Sequence, residues 1–204
     1  GFELSFLEGR VKWGTDYFYS RYNDKIVRLY IMRLDDYIYR NMDSVIIHGA
    51  ETKFDLDFRD ILKMVDIDLS MTYTYIHARN LSDIENSFVN KGQKLENIPE
   101  HKITFDLRNH LKTNTDLILF GYYECNQIQY TMDSRPRTSD DFSTSYFYAQ
   151  KLHNPVLLDI KLSQTVYYNY EIYIMCKNVM DDYAADPFNP DPGRTFALGL
   201  KAKF

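Results

Sequence analysis

Apolar residues occupy every second position in segment after segment of this chain, and that alternation limits what it can fold into. The last eleven residues show it most cleanly: Phe196, Leu198, Leu200, Ala202 and Phe204 alternate with Thr195, Ala197, Gly199, Lys201 and Lys203. A period of two is a strand with two chemically different faces. Near the start, Phe2, Leu4 and Phe6 alternate with Glu3 and Ser5, and after a turn at Leu7-Glu8-Gly9 the set Val11, Trp13, Thr15, Tyr17 and Tyr19 follows. From Ser44 to Phe58 the even positions Ile46, His48, Ala50, Thr52, Phe54 and Leu56 oppose Glu51, Lys53, Asp55 and Asp57.

The pattern continues through Val65, Ile67, Leu69, Met71, Tyr73 and Tyr75, then Ile103, Phe105 and Leu107. Val156, Leu158, Ile160 and Leu162 form another set, and Tyr170, Ile172, Ile174 and Cys176 precede the final strand. Only the strand from Asp116 lacks a clear phase, because Leu117-Ile118-Leu119-Phe120 is apolar throughout. Residues 24–43 read as a polar and aromatic excursion, and 80–98 and 134–153 as long polar loops. About nine meandering strands result.

Charge separates the possible architectures. In the clear strands the apolar face carries no Asp, Glu, Lys or Arg within the core of the strand, while nearly every opposite face is charged. A soluble β-sandwich would hide such faces against a second sheet. Here short turns alternate with long polar loops, which is the asymmetry of outer-membrane barrels. Lipid leaves no partner for an unpaired backbone group, so strands in it must close into a barrel. The reading is therefore all-β, an antiparallel transmembrane β-barrel section, with a soluble β-sandwich binding protein as the rival.

No apolar stretch is long enough for a transmembrane helix, and mean hydropathy is −0.44. The chain holds 18 Tyr against one Trp, which suits either strands or the aromatic girdles of a barrel. Net charge is −5 and no basic run exists, which argues against nucleic acid as a partner. Cys125 and Cys176 make neither a zinc motif nor a disulfide framework.

Several motifs add a resemblance. Tyr39-Arg40-Asn41 precedes Gly49-Ala50-Glu51; Tyr73-Thr74-Tyr75 ends a strand; Asn97-Ile98-Pro99-Glu100-His101-Lys102 leads into the next. Lys177-Asn178-Val179-Met180-Asp181-Asp182-Tyr183 and Pro192-Gly193-Arg194-Thr195-Phe196 follow in order. With these motifs the chain resembles the carboxyl-terminal part of TonB-dependent outer-membrane receptors over residues 1–204. Met180 and Lys177 depart from the family's aromatic and acidic residues at that corner. The resemblance implies a section of a 22-stranded barrel without its plug. It also implies uptake of a scarce nutrient such as a ferric siderophore, haem, cobalamin or glycan. The implied partners are outer-membrane lipid, the remaining barrel strands and plug, TonB through that plug only, and the barrel assembly machinery. No enzyme activity and no cofactor are implied. The chain opens on Gly1 inside a strand pattern, which leads us to expect a truncation, a split-gene product that pairs with another chain, or a partial chain.

Among candidate site residues, Arg135, Arg137, Tyr146 and Tyr148 stand in a long loop and supply cations and aromatic rings for an anionic chelate. Phe204 is the expected barrel-assembly signal. His48, His77, His101, His110 and His153 are scattered without metal-ligand spacing. His48 and His77 fall in phase with the lipid-facing positions, as girdle residues; His101 is expected to position backbone. Asp55/Asp57 and Asp66/Asp68 are expected to line a polar lumen beside Lys53 rather than perform acid–base chemistry.

Overall fold

The computed structural model describes residues 1–31, 36–60, 63–82, 91–133, 146–167, 169–182 and 193–202; at 27–31, 36–38, 40–43, 131–133 and 146–148 it describes backbone alone. All regular structure among them is strand. In chain order these are β1 (Phe2–Phe6), β2 (Val11–Ile31), β3 (Asp36–Asp57), β4 (Val65–Asn80), β5 (His101–Leu111) and β6 (Thr115–Cys125). Then come β7 (Ile128–Asp133), β8 (Tyr146–Lys151), β9 (Val156–Tyr167), β10 (Tyr170–Lys177) and β11 (Thr195–Ala202). Nine form one antiparallel sheet in the order β1-β2-β3-β4-β5-β6-β9-β10-β11, and β7 and β8 pair separately. The sheet is open, with β1 and β11 as its edges.

Register keeps the apolar face continuous from strand to strand. Trp13 stands opposite Phe54, Phe54 opposite Met71, Met71 opposite Phe105, and Leu107 opposite Leu119. Leu119 faces Ile160, Ile160 faces Cys176, and Cys176 faces Phe196. A slip by one residue anywhere would turn a whole strand's apolar set to the charged side. No second sheet covers this face among the described residues, and Leu198 is 78% exposed. That weighs against the sandwich reading, which needs an apposed sheet.

Register also fixes the strand whose phase was unclear. Leu117, Leu119, Gly121 and Tyr123 lie on the apolar face, and Ile118, Phe120 and Tyr122 on the charged one. The phase was hidden because Phe120 is an aromatic between Asp106 and Asp159. Gly121 sits directly opposite Phe105, whose ring occupies the space where a Cβ would go. Tyr173 covers Gly199 in the same way across β10 and β11. A ring lying over a glycine restores packing where the strand has no side chain of its own.

Two expected loops prove to be partly strand. Residues 24–43 are not an excursion: β2 and β3 stay paired as far as Ile31 and Asp36. Within 134–153, Tyr146–Lys151 is strand, and it pairs with β7. Arg21, Asn23 and Lys25 break the alternation ahead of the first, and the second, Tyr146–Lys151, does not alternate at all.

Connections at one end of the sheet are short, spanning 7–10, 58–64, 112–114 and 168–169. At the other end stand the β2–β3 hairpin and the segments 81–100, 126–155 and 178–194. The tight turn at Asn114 uses a left-handed residue (φ 59°), with its N–H donating to the Leu111 carbonyl at 2.9 Å. Asn tolerates that conformation better than most residues. Among the described residues the buried hydrophobic core is small: Val45, Ala78 and Leu95, with Ile47, Ile76, Ile98 and Tyr130 packed around it. It lies on the charged face at the long-loop end.

Candidate functional site

The charged face is neutralised pair by pair. Asp57 and Asp68 stand directly opposite each other, and Arg59 reaches back from the turn to bind both. Its Nε lies 3.3 Å from Asp68, and its backbone N–H donates to Asp57 at 2.9 Å. The hydrogen bond to Asp57, joined by the Asp68 charge, holds the guanidinium above its ordinary range. Arg108 pairs with Asp106 at 2.8 Å, Lys53 with Asp55 at 3.0 Å, and Lys161 with Glu171 at 3.0 Å. Ser70 donates to Asp55 at 2.6 Å. These carboxylates are committed to cations and hydroxyls, which fits a lining surface better than an acid–base pair.

At the long-loop end, the connecting segments are fastened to one another. Leu95 packs with Val45 and Ala78. Asn80, Ser82 and Ser44 form a buried polar knot, in which the Asn80 Nδ2 donates to the Ser82 carbonyl at 2.8 Å. Glu100 receives Lys94 at 3.4 Å and Arg79 at 3.7 Å. From there the β7–β8 hairpin is gripped at its root. Tyr130 N–H donates to Glu96 at 2.8 Å, its hydroxyl donates to the Lys94 carbonyl at 2.9 Å, and Asn97 N–H donates to Ile128 at 3.0 Å. Burial, helped by Glu96, pushes the Tyr130 phenol up.

A second clasp joins the next connection. His153 Nε2 lies 2.6 Å from Asp182, whose other oxygen accepts from Val156 N–H at 2.9 Å. Asn178 and Asp182 bond reciprocally, and Arg194 N–H donates to Asp181 at 2.8 Å. The corner therefore rests on Asn178, Asp181 and Asp182; the departures at Lys177 and Met180 leave its polar contacts in place.

Arg135, Arg137 and Phe204 lie outside the described residues. The first two fall in the segment between β7 and β8. Tyr146 and Tyr148 are in β8, opposite Asp133 and Thr131. His48 and His77 are on the apolar face at its long-loop end, beside Tyr17 and Tyr19. His101 does not hold backbone through its side chain: it accepts from or donates to the Tyr73 hydroxyl at 2.8 Å and packs on Tyr75. Its neighbour Glu100 does the backbone work, through Ile76 N–H and Cys125 carbonyl bonds of 2.8 and 3.1 Å. Sequence reasoning missed Lys94, Glu96 and Tyr130. The one signal near them was the motif at Ile98-Pro99-Glu100.

The family described as TonB dependent receptor-like, beta-barrel, matches residues 1–179. Comparison with curated proteins gives no match. Among solved structures, the outer membrane transporter YddB from Escherichia coli superposes with a TM-score of 0.66 at 17% identity, over 95% of this chain and 30% of that one. The ferripyoverdine receptor of the outer membrane of Pseudomonas aeruginosa, bound to ferripyoverdine, gives 0.64 at 13% identity, over 99% and 26%. The FpvAI–pyocin S2 complex gives 0.63 at 12% identity, again over 99% and 26%. At such identities the likeness concerns the fold, and the chain spans less than a third of each solved chain's length. From the family match, the chain belongs to the TonB-dependent receptors of the bacterial outer membrane.

Proposed function

We propose that this chain forms a carboxyl-terminal part of the wall of a receptor that takes up a scarce nutrient, such as a ferric siderophore, haem or cobalamin. The observation that supports it most is the doubly fastened set of long connections above a charge-lined face. The β7–β8 hairpin is rooted by Tyr130, Glu96 and Lys94. Arg135, Arg137, Tyr146 and Tyr148 belong to that hairpin segment and are the proposed ligand contacts. Loops on a rigid scaffold are where recognition concentrates. One structural neighbour is a receptor bound to ferripyoverdine, which favours an iron chelate as the first class to try.

The two sheet edges would be completed by the remaining barrel strands, of the same or a separate chain, since unpaired edges are not tolerated in lipid. TonB would act on a plug and not on these strands. Phe204 would serve the barrel assembly machinery. The test is uptake by cells in which the receptor containing this chain is the sole one expressed. Ferric hydroxamate, catecholate and mixed-type siderophores, haem and cyanocobalamin are supplied in turn. TonB-dependent uptake of one class is expected, with substantial loss in Arg135→Ala/Arg137→Ala. Uptake of none, or uptake unchanged without TonB, would sink the reading.

A further inference from the structure

Spacing along the chain separates the histidines, but strand register brings two of them together. His48 on β3 stands directly opposite His77 on β4, both on the apolar face near its long-loop end. Their ring centroids are 4.8 Å apart and their planes meet at 48°. Tyr19 lies opposite His48 on β2. The Tyr17 hydroxyl, one step nearer the short turns, is 3.2 Å from His48 Nδ1. Tyr19 is eight residues beyond Val11, which adjoins a short turn. At about 3.3 Å per residue and a tilt of about 40°, it stands about 20 Å up an apolar band about 25 Å tall. The pair therefore sits at the outward edge of that band, where ions arrive from the aqueous layer.

The ring separation is that of two ligands on one ion. An ion about 2.0–2.1 Å from a nitrogen of each ring, with its two bonds at about 90–110°, holds the centroids about 4.5–5.2 Å apart. The observed 4.8 Å falls within that range, so the strands already set the spacing and only side-chain rotation is left. The neighbour of His48 suits the same role. When Nδ1–H donates to the Tyr17 oxygen, the lone pair is on Nε2, and metal-bound histidines ordinarily carry such a bond on their other nitrogen. No third His, Cys, Asp or Glu completes a cluster among the described residues, so the remaining positions fall to water. Neutral imidazoles select Cu²⁺, Ni²⁺ or Zn²⁺ over Mg²⁺ or Ca²⁺. The nearest cations have other partners: Arg21 donates to Ser44 at 3.1 Å, on the side away from His48, and Arg79 meets Glu100 at 3.7 Å.

We infer that His48 and His77 form a cross-strand clamp for one divalent transition-metal ion, of the class of Cu²⁺, Ni²⁺ and Zn²⁺. The clamp lies on the lipid-facing side of the sheet, so it stands or falls separately from the nutrient the receptor carries. A bound ion ties β3 to β4 at the foot of the long β2–β3 hairpin. It stabilises the folded wall because the unfolded chain does not hold the two rings together.

The test uses the full, untagged receptor in detergent, titrated with Cu²⁺, Ni²⁺, Zn²⁺ or Mg²⁺ alone while the thermal midpoint is followed. Cu²⁺ is expected to raise the midpoint at the lowest concentration, and Mg²⁺ to leave it unchanged. Electron paramagnetic resonance of the Cu²⁺-loaded receptor is expected to show two imidazole nitrogens on the ion. His48→Gln and His77→Gln are each expected to raise the Cu²⁺ concentration for half the shift by about tenfold or more, at least the cost of losing a ligand's outer partner. The double variant should lose little beyond either single one, with every barrel still heat-modifiable on gels. Absence of stabilisation of the wild type by Cu²⁺, Ni²⁺ and Zn²⁺ overturns the inference without reference to any variant. An undiminished Cu²⁺ response in the folded double variant assigns the ion to other groups and overturns it as well.

Discussion

His48 on β3 and His77 on β4 stand directly opposite each other, their ring centroids 4.8 Å apart. Both belong to the aromatic patch that ends the apolar face, whereas Leu107 lies between Leu69 and Leu119 in its middle. This ordering predicts a depth-dependent cost of charge. His77→Arg is expected to destabilise insertion by about 0–1 kcal/mol and Leu107→Arg by about 2–4 kcal/mol. Reversible denaturant unfolding of the receptor from lipid vesicles measures both. Equal costs would mean that the two positions do not lie at different depths.

Arg59 answers two carboxylates that the register sets face to face, Asp57 and Asp68. Arg59→Gln leaves like charges directly opposite on adjacent strands, which is unfavourable. The thermal midpoint in detergent is expected to fall, and to fall further at low salt, because the site is open to solvent. Adding Asp68→Asn to Arg59→Gln should recover most of the loss. If Asp68→Asn brings no recovery, the role assigned to Arg59 is wrong.

The strand architecture was legible in the sequence because each strand crossing lipid must hide its charges on one face. Val65 through Tyr75 shows it without reference to any neighbour. The long hairpins were less legible. Arg21, Asn23 and Lys25 interrupt the odd-numbered apolar set of β2, and Tyr146–Lys151 shows no alternation, so periodicity does not mark residues 24–31 and 146–151 although they pair as strands. The meeting of His48 with His77 was equally hidden, since spacing along one chain says nothing about what a neighbouring strand presents. The same holds for the Tyr130–Glu96 clamp, which joins two connections that the sequence presents as separate polar stretches. The proposed ligand contacts Arg135, Arg137, Tyr146 and Tyr148 were chosen by residue chemistry and loop position alone.

Phe105 lies over Gly121 on the apolar face. Any side chain at 121 must displace the ring. Gly121→Val is expected to cost about 1–3 kcal/mol through overpacking. In the double variant Gly121→Val/Phe105→Ala the added methyls occupy the space the ring vacates, so the combined loss should be less than the sum of the two single losses. Unfolding midpoints of the four proteins form the cycle, and simple additivity would show that the two residues do not share this space.

Leu95 is the buried residue that the 91–100 segment contributes to the core, with Ile98 packed beside it, and Tyr130 holds the hairpin to that segment. Leu95→Ala is expected to weaken the local packing by about 2–5 kcal/mol. The loss should appear as faster amide exchange and proteolysis within 91–100 and 126–152, with the membrane-crossing strands unaffected. Tyr130→Phe removes one hydrogen bond, worth about 0.5–1.5 kcal/mol, and should give a smaller effect confined to the hairpin root. Hydrogen exchange read by mass spectrometry separates the two. Loosening of β4 or β5 to the same degree would mean that the cap and the wall unfold together.

β11 is one edge of the sheet, and Phe196, Leu198 and Leu200 on its apolar face are 75%, 78% and 66% exposed. In sequence, Phe204 continues the same even-numbered set through Ala202. An assembly factor that captured this strand before the barrel closed would meet its row of apolar side chains, which Phe204 continues in sequence. Removing Phe204 shortens that row at its end without touching any strand pairing described in the sheet. Deletion of Phe204 is therefore expected to lower the amount of receptor in the outer membrane severalfold, while barrels that do assemble keep wild-type thermal stability. Phe204→Tyr should restore assembly and Phe204→Ser should not. Quantifying the heat-modifiable form in outer-membrane fractions decides it. Undiminished assembly after the deletion would leave Phe204 without the role proposed for it.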